Sequence, residues 1–445
     1  MYKYLFLIGL IFSLKANENL PSPLPRGEII FHAATIHPVS SQSFKGDLHV
    51  DNGKITKLVA INESKLPEKK EGIQLISCEG LHIYPGMISS NSVLGLTEIR
   101  AVRATRDMVE TGDVNPNVRA EVAVNPDSEL FPVTRSNGVL HVLSVPQSNG
   151  LIAGKSALMG LDGWTWEDMV VKSSVAMHLK WPLVPDSDMA NNSKQKEELQ
   201  KRTKNALFNL RRIKEAFLKA RAYHKAHADQ KVTDKTDLRW EAMKPVLNGE
   251  MPVFVHVNKL SGIRNAVQFS VEQNIKIVIV GGSDAWRTIP LLKKYNIPVI
   301  VSPVNALPSR RWEDYDTPMK NPLKLLNGGI KFCIAGPGGS MDAPHERNLP
   351  YQAARAAAFG LPRKEALKAV TLYPAEILGV SDRMGSLEVG KDASLIVCTG
   401  DILEVTSNVR LAYIKGRPID LSNKQTRLYE KYKEKYRQLN SKNEN

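Results

Sequence analysis

The stretch Leu81-His82-Ile83-Tyr84-Pro85-Gly86-Met87-Ile88-Ser89-Ser90-Asn91-Ser92-Val93 decides how this chain is read. Before it stands a polar turn, Cys78-Glu79-Gly80. The apolar run from Ile83 to Ile88 predicts a short buried strand, and Ser89 to Ser92 are expected where that strand opens into a loop. In a parallel α/β barrel, the loop after a strand lies on the face where chemistry is done.

Upstream, Glu28 to Ile36 and Gly46 to Ile55 alternate with turns, and Asp51-Asn52-Gly53 is a hairpin signal. They predict a small antiparallel sheet. Its expected partner is distant, at Gly385 to Ile419, where Ala393 to Cys398 and Leu411 to Ile414 read as strands. Downstream, strands are expected at Gly138 to Val145, Val175 to Trp181, Pro252 to Val257, Ile275 to Gly281, Pro298 to Pro303 and Gly329 to Gly336. The second of these places His178 and Lys180 on one face. Helical patterns intervene: Asn192 to about Lys235, with Ala206, Leu210, Ile213, Phe217 and Ala220 on one stripe, then Leu323 to Asn327, Tyr351 to Phe359 and Arg363 to Thr371. This alternation argues for a parallel sheet, and the number of strands favours a barrel.

Several short motifs recur in a known order: Pro85-Gly86-Met87-Ile88, Gly360-Leu361, Glu365-Ala366-Leu367, Thr371 with Pro374-Ala375, Leu378-Gly379, Gly385-Ser386-Leu387 and Gly390-Lys391-Asp392-Ala393. On these motifs the chain from Glu28 to Ile419 resembles the amidohydrolase superfamily, nearest the imidazolonepropionase-like amidohydrolases. The resemblance implies an α/β fold, a TIM-like (β/α) barrel with a small β-sandwich built from both chain ends. The expected organisation is a signal peptide at 1–16, a linker at 17–27, sandwich parts at 28–83 and 383–420, a metal-dependent-hydrolase-like barrel at 84–382, and a basic C-terminal helix or tail at 421–445.

The superfamily resemblance also implies a metal-assisted hydrolase of C–N bonds other than peptide bonds, acting on a small cyclic amide-like substrate. Such sites use nitrogen and oxygen ligands from several strand ends to turn water into hydroxide. Here Asn91 and Val93 stand where the two strand-one histidines belong, Gly281-Gly282 at the strand-six histidine, and Pro337 near the strand-eight aspartate. His256 matches the strand-five ligand, and Lys180 loosely matches the strand-four residue. The candidates are therefore His256 for a divalent, zinc-type metal that is not tightly held, and Asp284, Asp342 and His345 as substitute catalytic groups. Asn91, Arg103, Trp164 and Trp166 are candidates for binding substrate. Arg103 lies in the long polar segment Glu98 to Arg135, which is expected to cover the barrel mouth. The alternative is a catalytically silent binding or partner subunit on the same scaffold.

Two other patterns carry less. Asn149-Gly150-Leu151-Ile152-Ala153-Gly154-Lys155-Ser156 ends like a phosphate loop but has Asn149 where its first glycine is required. His224 and His227 fall one helical turn apart without a third ligand nearby.

Composition bounds the rest. The 445 residues, 42% hydrophobic and 24% charged, suit one large core with a smaller module. The three cysteines exclude a disulfide framework and thiolate metal clusters. A net charge of +14 is spread along the chain, so no nucleic-acid partner is expected; peripheral contact with an anionic surface is the sharper reading of the basic C-terminal piece. Lys3 followed by Tyr4 to Phe12 and then Ala16 predicts export to the periplasm or extracellular space. Leu14, where a small residue is favoured, leaves an uncleaved N-terminal anchor as the alternative.

Overall fold

A computed structural model describes residues 20–64, 72–147, 150–185, 192–228 and 236–443. The export segment at 1–16 and Asn149 lie outside the described residues. Both chain ends build one sheet. Its strands are β1 (Glu28–Ile36), β2 (Phe44–Asp51), β3 (Lys54–Ala60), β4 (Ile73–Ser77) and β5 (His82–Pro85) from the N-terminal side. From the C-terminal side come β14 (Leu395–Cys398), β15 (Val409–Ile414) and β16 (Arg417–Pro418). The order is β16-β15-β14-β5-β1-β2-β3, with β4 also on β1. The hairpin signal is realised: Asp51 pairs with Lys54 around Asn52 and Gly53, both at positive φ.

The expected sandwich is one continuous hydrogen-bonded sheet. Strand β1 carries a bulge between Phe31 and Ala34, with Ala33 at φ 60°; before it β1 pairs with β4, after it with β5. Inward side chains of both halves, including Phe31, Leu48, Ile83, Leu395 and Tyr413, share one core. Phe31 meets Tyr413 edge-on at 5.1 Å, which ties β1 to β15 across the chain ends. Full burial of a side chain such as Phe31 contributes about 1.5–3 kcal/mol.

The Pro85-Gly86 pair is where the chain leaves this sheet. Pro85 ends β5 opposite Leu395, and β6 (Met87–Ser92) begins the barrel at once. The single strand expected from Ile83 to Ile88 is thus two strands in two sheets. Gly86 is required by close approach: a Cβ there would lie 2.6 Å from Leu140 Cδ1. Ser89 to Ser92, expected in a loop, are buried strand. Their hydroxyls are satisfied inside: Ser89 donates to Glu346 at 2.7 Å, Ser90 meets Cys333 Sγ at 3.1 Å, and Ser92 accepts from the Leu94 N–H at 3.1 Å.

The barrel strands follow as β7 (Val139–Ser144), β8 (Ile152–Gly160), β9 (Val170–Lys180), β10 (Val253–Val257), β11 (Ile277–Gly281), β12 (Val299–Val301) and β13 (Phe332–Ile334). They form a nearly closed eight-stranded sheet in sequence order. The remaining seam is splinted from outside, since Ile88 of β6 donates to Val370 O and Ile334 of β13 to Ala369 O, both at 2.9 Å.

One strand departs from the expected parallel pattern. β8 runs antiparallel to both β7 and β9. The connection from Ser144 to Ile152 is too short for a parallel crossover, which needs a dozen or more residues. Because β8 is strand from Ile152 onward, Gly154-Lys155-Ser156 opens no helix and the phosphate-loop pattern has no structural counterpart.

The helices are α1 (Leu130–Arg135), α2 (Trp166–Met169), α3 (Ser193–Ala228), α4 (Leu238–Glu241), α5 (Lys244–Leu247), α6 (Leu260–Gln273), α7 (Ile289–Lys294), α8 (Thr317–Asn327), α9 (Leu349–Ala358), α10 (Arg363–Lys368), α11 (Leu372–Ile377) and α12 (Lys424–Asn443). The apolar stripe of α3 is buried at Ala206, Ile213, Phe217 and Ala220. Its His224 and His227 are bound to the carbonyls of Trp240 and Tyr223, each at 2.8 Å. Among the described residues, no helix is long and apolar enough to cross a membrane.

Candidate functional site

The carboxyl ends of β6, β7 and β9 to β13 open on one side of the barrel. Two adjoining hollows lie there, of about 470 and 210 Å³. Asn91, Lys180, His256 and Pro337 line both. Another hollow, of about 710 Å³, lies at the opposite end beside Lys172, Asn274 and Leu378. It holds none of the strand-end residues, and in this architecture chemistry belongs to the carboxyl face.

At the centre of the mouth, β9 and β10 run side by side with Phe254 opposite His178 and His256 opposite Lys180. The two-residue period turns His178, Lys180 and His256 inward together. His178 Nδ1 and His256 Nε2 are 2.8 Å apart, so one imidazole donates to the other. His178 Nε2 is buried and has no partner among the described residues. Burial, and then the Lys180 ammonium, push His256 down to about 4. Burial, and then His256, hold His178 well below the usual histidine value. Both rings are therefore neutral at neutral pH.

Asn91 faces the mouth but is engaged by the protein. Its Nδ2 donates to the carbonyls of Gly336 and Pro337, both at 3.3 Å, and lies 3.4 Å from Ser302 Oγ. Ser302 in turn donates to Gly336 O at 2.5 Å. The loop after β13 closes onto this amide so tightly that a Cβ on Gly338, at φ 78°, would come within 2.3 Å of Asn91 Nδ2. Val93 is buried in the layer outside the barrel.

Of the substitute catalytic residues, Asp284 lines the larger hollow. Its Oδ1 accepts from Arg310 at 2.8 Å, its Oδ2 contacts a second Arg310 nitrogen, and it accepts from the Leu260 N–H at 2.8 Å. Burial pushes this carboxyl up, but the Arg310 guanidinium and the Leu260 N–H outweigh it and hold it below the usual range. Asp284 is a structural anion, saturated by its partners. Asp342 accepts from the Gly339 N–H at 3.0 Å and shapes a turn, and His345 is exposed, 3.1 Å from Met341 O. Neither lines the mouth hollows.

Arg103 is exposed in a short 3-10 turn and lines neither mouth hollow, while Val109 of the same segment bridges Gln147 at the rim of the smaller one. Residues 114–119 instead run along β8, bridging Val114 to Ile152 and Arg119 to Lys155. Trp164 and Trp166 follow β8. Because that strand is reversed, it carries them to the opposite end of the barrel, where Gly160 adjoins Ile414 of β15. Trp164 is exposed and Trp166 half-buried there.

Sequence reasoning missed three groups. His178 could have been found from its inward parity beside Lys180, but its partner depended on strand pairing. Trp181 lines the larger hollow with its indole Nε1 buried and unpartnered among the described residues. Glu346, on the 3-10 turn Ala343–Asn348, is buried behind β6; burial pushes its carboxyl up to about 7 against the hydroxyls of Ser89 and Ser92.

A resident divalent metal is the cofactor this architecture suggests, and the donor set does not fit one. Among the described residues, no three His, Cys, Asp or Glu side chains converge as a metal-holding group. His178 and His256 face one another, Lys180 adds an ammonium, and Asn91 is held by carbonyls. A catalytic zinc site uses three protein ligands and an open position.

The nearly closed barrel of eight strands in sequence order stands beside a sheet built from both chain ends. The amidohydrolase family pattern matches residues 317–419. Amidohydrolase tasK of Hapsidospora irregularis is 23% identical over 409 residues, which cover 83% of this chain and 39% of that protein. The chain thus spans about two fifths of the length of that curated relative. The crystal structure of an amidohydrolase from Thermotoga maritima MSB8 is 28% identical and superposes with a TM-score of 0.76, covering 88% of this chain and 99% of that one. Molinate hydrolase, at 13% identity and a TM-score of 0.52, shares the fold over 90% of this chain and 96% of its own. The family match thus covers α8 to β16, and over 88% of the chain the fold is similar to that of the Thermotoga maritima amidohydrolase.

Proposed function

We propose that the protein hydrolyses a C–N bond, other than a peptide bond, in a small cyclic amide-like substrate held at the barrel mouth. The observation that carries this reading is the His178–His256 pair beside Lys180, inward-facing on neighbouring strands at the chemical end of an amidohydrolase barrel. His256 is neutral, so its lone pair is available to take a proton from an attacking water; the same depression makes it a weak base. Lys180 is placed to stabilise negative charge developing on the carbonyl oxygen. His178 acts as a positioning residue, fixing the His256 ring through their shared hydrogen bond.

A panel of cyclic amides, imides and N-acyl compounds, incubated with chelator-treated full-length protein, tests the reading by release of the ring-opened or amine product. Turnover should be abolished in His256→Ala and have an acid limb near pH 4, where His256 takes up a proton. Absence of turnover across the panel favours the second reading, a catalytically silent binding or partner subunit. The specific support for that alternative is Asn91, whose amide serves the loop carbonyls of Gly336 and Pro337.

Export is part of the same proposal, supported by Lys3 and the apolar run Tyr4 to Phe12. Peripheral contact of α12 with an anionic surface is supported by exposed Tyr429, Tyr432 and Tyr436 among lysines.

A further inference from the structure

Helix α12 starts on the body of the protein and then leaves it. Asn423 is buried at its root, and its Oδ1 accepts the N–H groups of Gln425 and Thr426, both at 3.0 Å, as an N-cap. Arg427, 3.9 Å from Glu129, is a second tie at the root. From Leu428 to Ser441 every side chain is exposed. The exposed length is nonetheless two-faced. At about 3.6 residues per turn, Leu428, Tyr429, Tyr432, Tyr436 and Leu439 fall within roughly 100° of one another, an apolar stripe open to solvent. Helices in proteins draw most of their stability from packing such a face, so the stripe calls for a surface.

The charges around the stripe are sorted by sign. Lysines rim it: Lys433 Nζ lies 5.8 Å from the ring of Tyr429, and Lys435 Nζ lies 5.8 and 5.9 Å from those of Tyr432 and Tyr436. Lys424 and Lys431 fall on the same border as Lys435. The acids Glu430 and Glu434 project from the opposite side, where Glu434 is held by Arg437 at 2.7 Å and Glu430 comes within 3.7 Å of Lys433. Between Lys424 and Ser441 there are six basic residues and two glutamates. The face therefore presents apolar rings inside a rim of ammonium groups, which complements a surface that is anionic outside and apolar beneath. Two copies meeting stripe to stripe would set these lysine rims against each other, with the glutamates turned away. A seam between helices would also strip water from three phenol hydroxyls. The headgroup layer of a bilayer takes the rings and keeps their hydroxyls wet, while lysine stems reach from the apolar layer to the phosphates.

We infer that α12 is a membrane-docking helix that lies flat on an anionic phospholipid bilayer, with Leu428, Tyr429, Tyr432, Tyr436 and Leu439 in the headgroup layer and Lys431, Lys433 and Lys435 on lipid phosphates. This inference rests on the reading of α12 as a contact with an anionic surface, and it assigns that surface. Two leucines and three tyrosines are a small apolar payload, so binding depends on lipid charge as well as on insertion.

Flotation of the full-length protein with vesicles tests it, comparing phosphatidylcholine alone with phosphatidylcholine containing about 30% phosphatidylglycerol. Apparent affinity for the mixed vesicles is expected to be higher by about tenfold or more, and to fall as salt is raised. Tyr432→Asp with Tyr436→Asp, and Lys433→Glu with Lys435→Glu, should each weaken binding about tenfold or more while the urea midpoint stays unchanged. Tyr432→Phe with Tyr436→Phe should retain it. So should Lys293→Glu with Lys294→Glu on α7, which makes the same change in net charge as the rim pair. No binding to the mixed vesicles, equal binding to both kinds, or binding that survives the stripe and rim variants would each overturn the inference. Soluble poly-glutamate separates it from the broader reading. Binding of poly-glutamate without binding of vesicles overturns the bilayer and leaves an acidic protein surface as the partner; binding of neither removes the anionic surface as well. A dimer in sedimentation equilibrium that Tyr432→Asp with Tyr436→Asp converts to monomer would give the stripe to a second copy and overturn the inference too.

Discussion

Replacing Glu346 by glutamine isolates the energetics of the buried wall behind the mouth. The folded protein holds this carboxyl at about 7, against an ordinary value of 4.5, because burial disfavours the charge more than Ser89 and Ser92 stabilise it. The folded state therefore binds the proton more tightly than the unfolded chain. The stability it contributes is full below about 4.5 and is lost as pH rises through about 7. A difference of roughly 2.5 units corresponds to about 3 kcal/mol in total, of which about 2–3 kcal/mol falls between pH 5 and pH 8. Glutamine keeps an acceptor for the Ser89 hydroxyl, which donates to Oε2 at 2.7 Å, and removes the charge. Urea unfolding of both proteins at pH 5 and pH 8 gives the comparison. The wild type should lose about 2–3 kcal/mol more than the variant over that interval, since all other titrating groups cancel. An identical pH dependence in the two proteins would refute the reasoning.

Three further outcomes follow from other parts of the fold. Gly86→Ala should cost about 1–3 kcal/mol in the same unfolding assay, because the new Cβ meets Leu140 Cδ1 at 2.6 Å. Ending the chain after Ser381 removes β14 to β16 and exposes the β5 edge, so amide exchange in residues 28–58 should accelerate; unchanged exchange there would count against a sheet built from both ends. His256→Ala leaves His178 Nδ1 buried without its partner and should destabilise by about 1–3 kcal/mol, read from the urea midpoint.

The barrel was legible because its strands β9 to β13 are apolar runs separated by helical periods, and because Pro85-Gly86 marks where the chain changes sheets. What escaped has physical reasons. Ser89 to Ser92 look like a loop because their burial depends on partners as remote as Glu346 and Cys333. The reversal of β8 is set by the short Ser144 to Ile152 connection, and it alone moves Trp164 and Trp166 to the wrong end for substrate. Asp284 reads as a free acid in sequence; only the fold brings Arg310 onto it. His256 was identified from its strand-end position, whereas the His178 contact depended on the register that sets Phe254 against His178.

The central claim is that the barrel mouth works with His178, His256 and Lys180 and without a metal ion held by three protein ligands. Elemental analysis of extensively dialysed full-length protein, run beside His256→Ala, addresses it directly. The account predicts substoichiometric zinc, manganese and iron in both proteins, and little change in melting temperature on adding chelator, since stabilisation by a bound ion requires free metal above its dissociation constant. One or more metal ions per chain in the wild type, lost in His256→Ala, would contradict it.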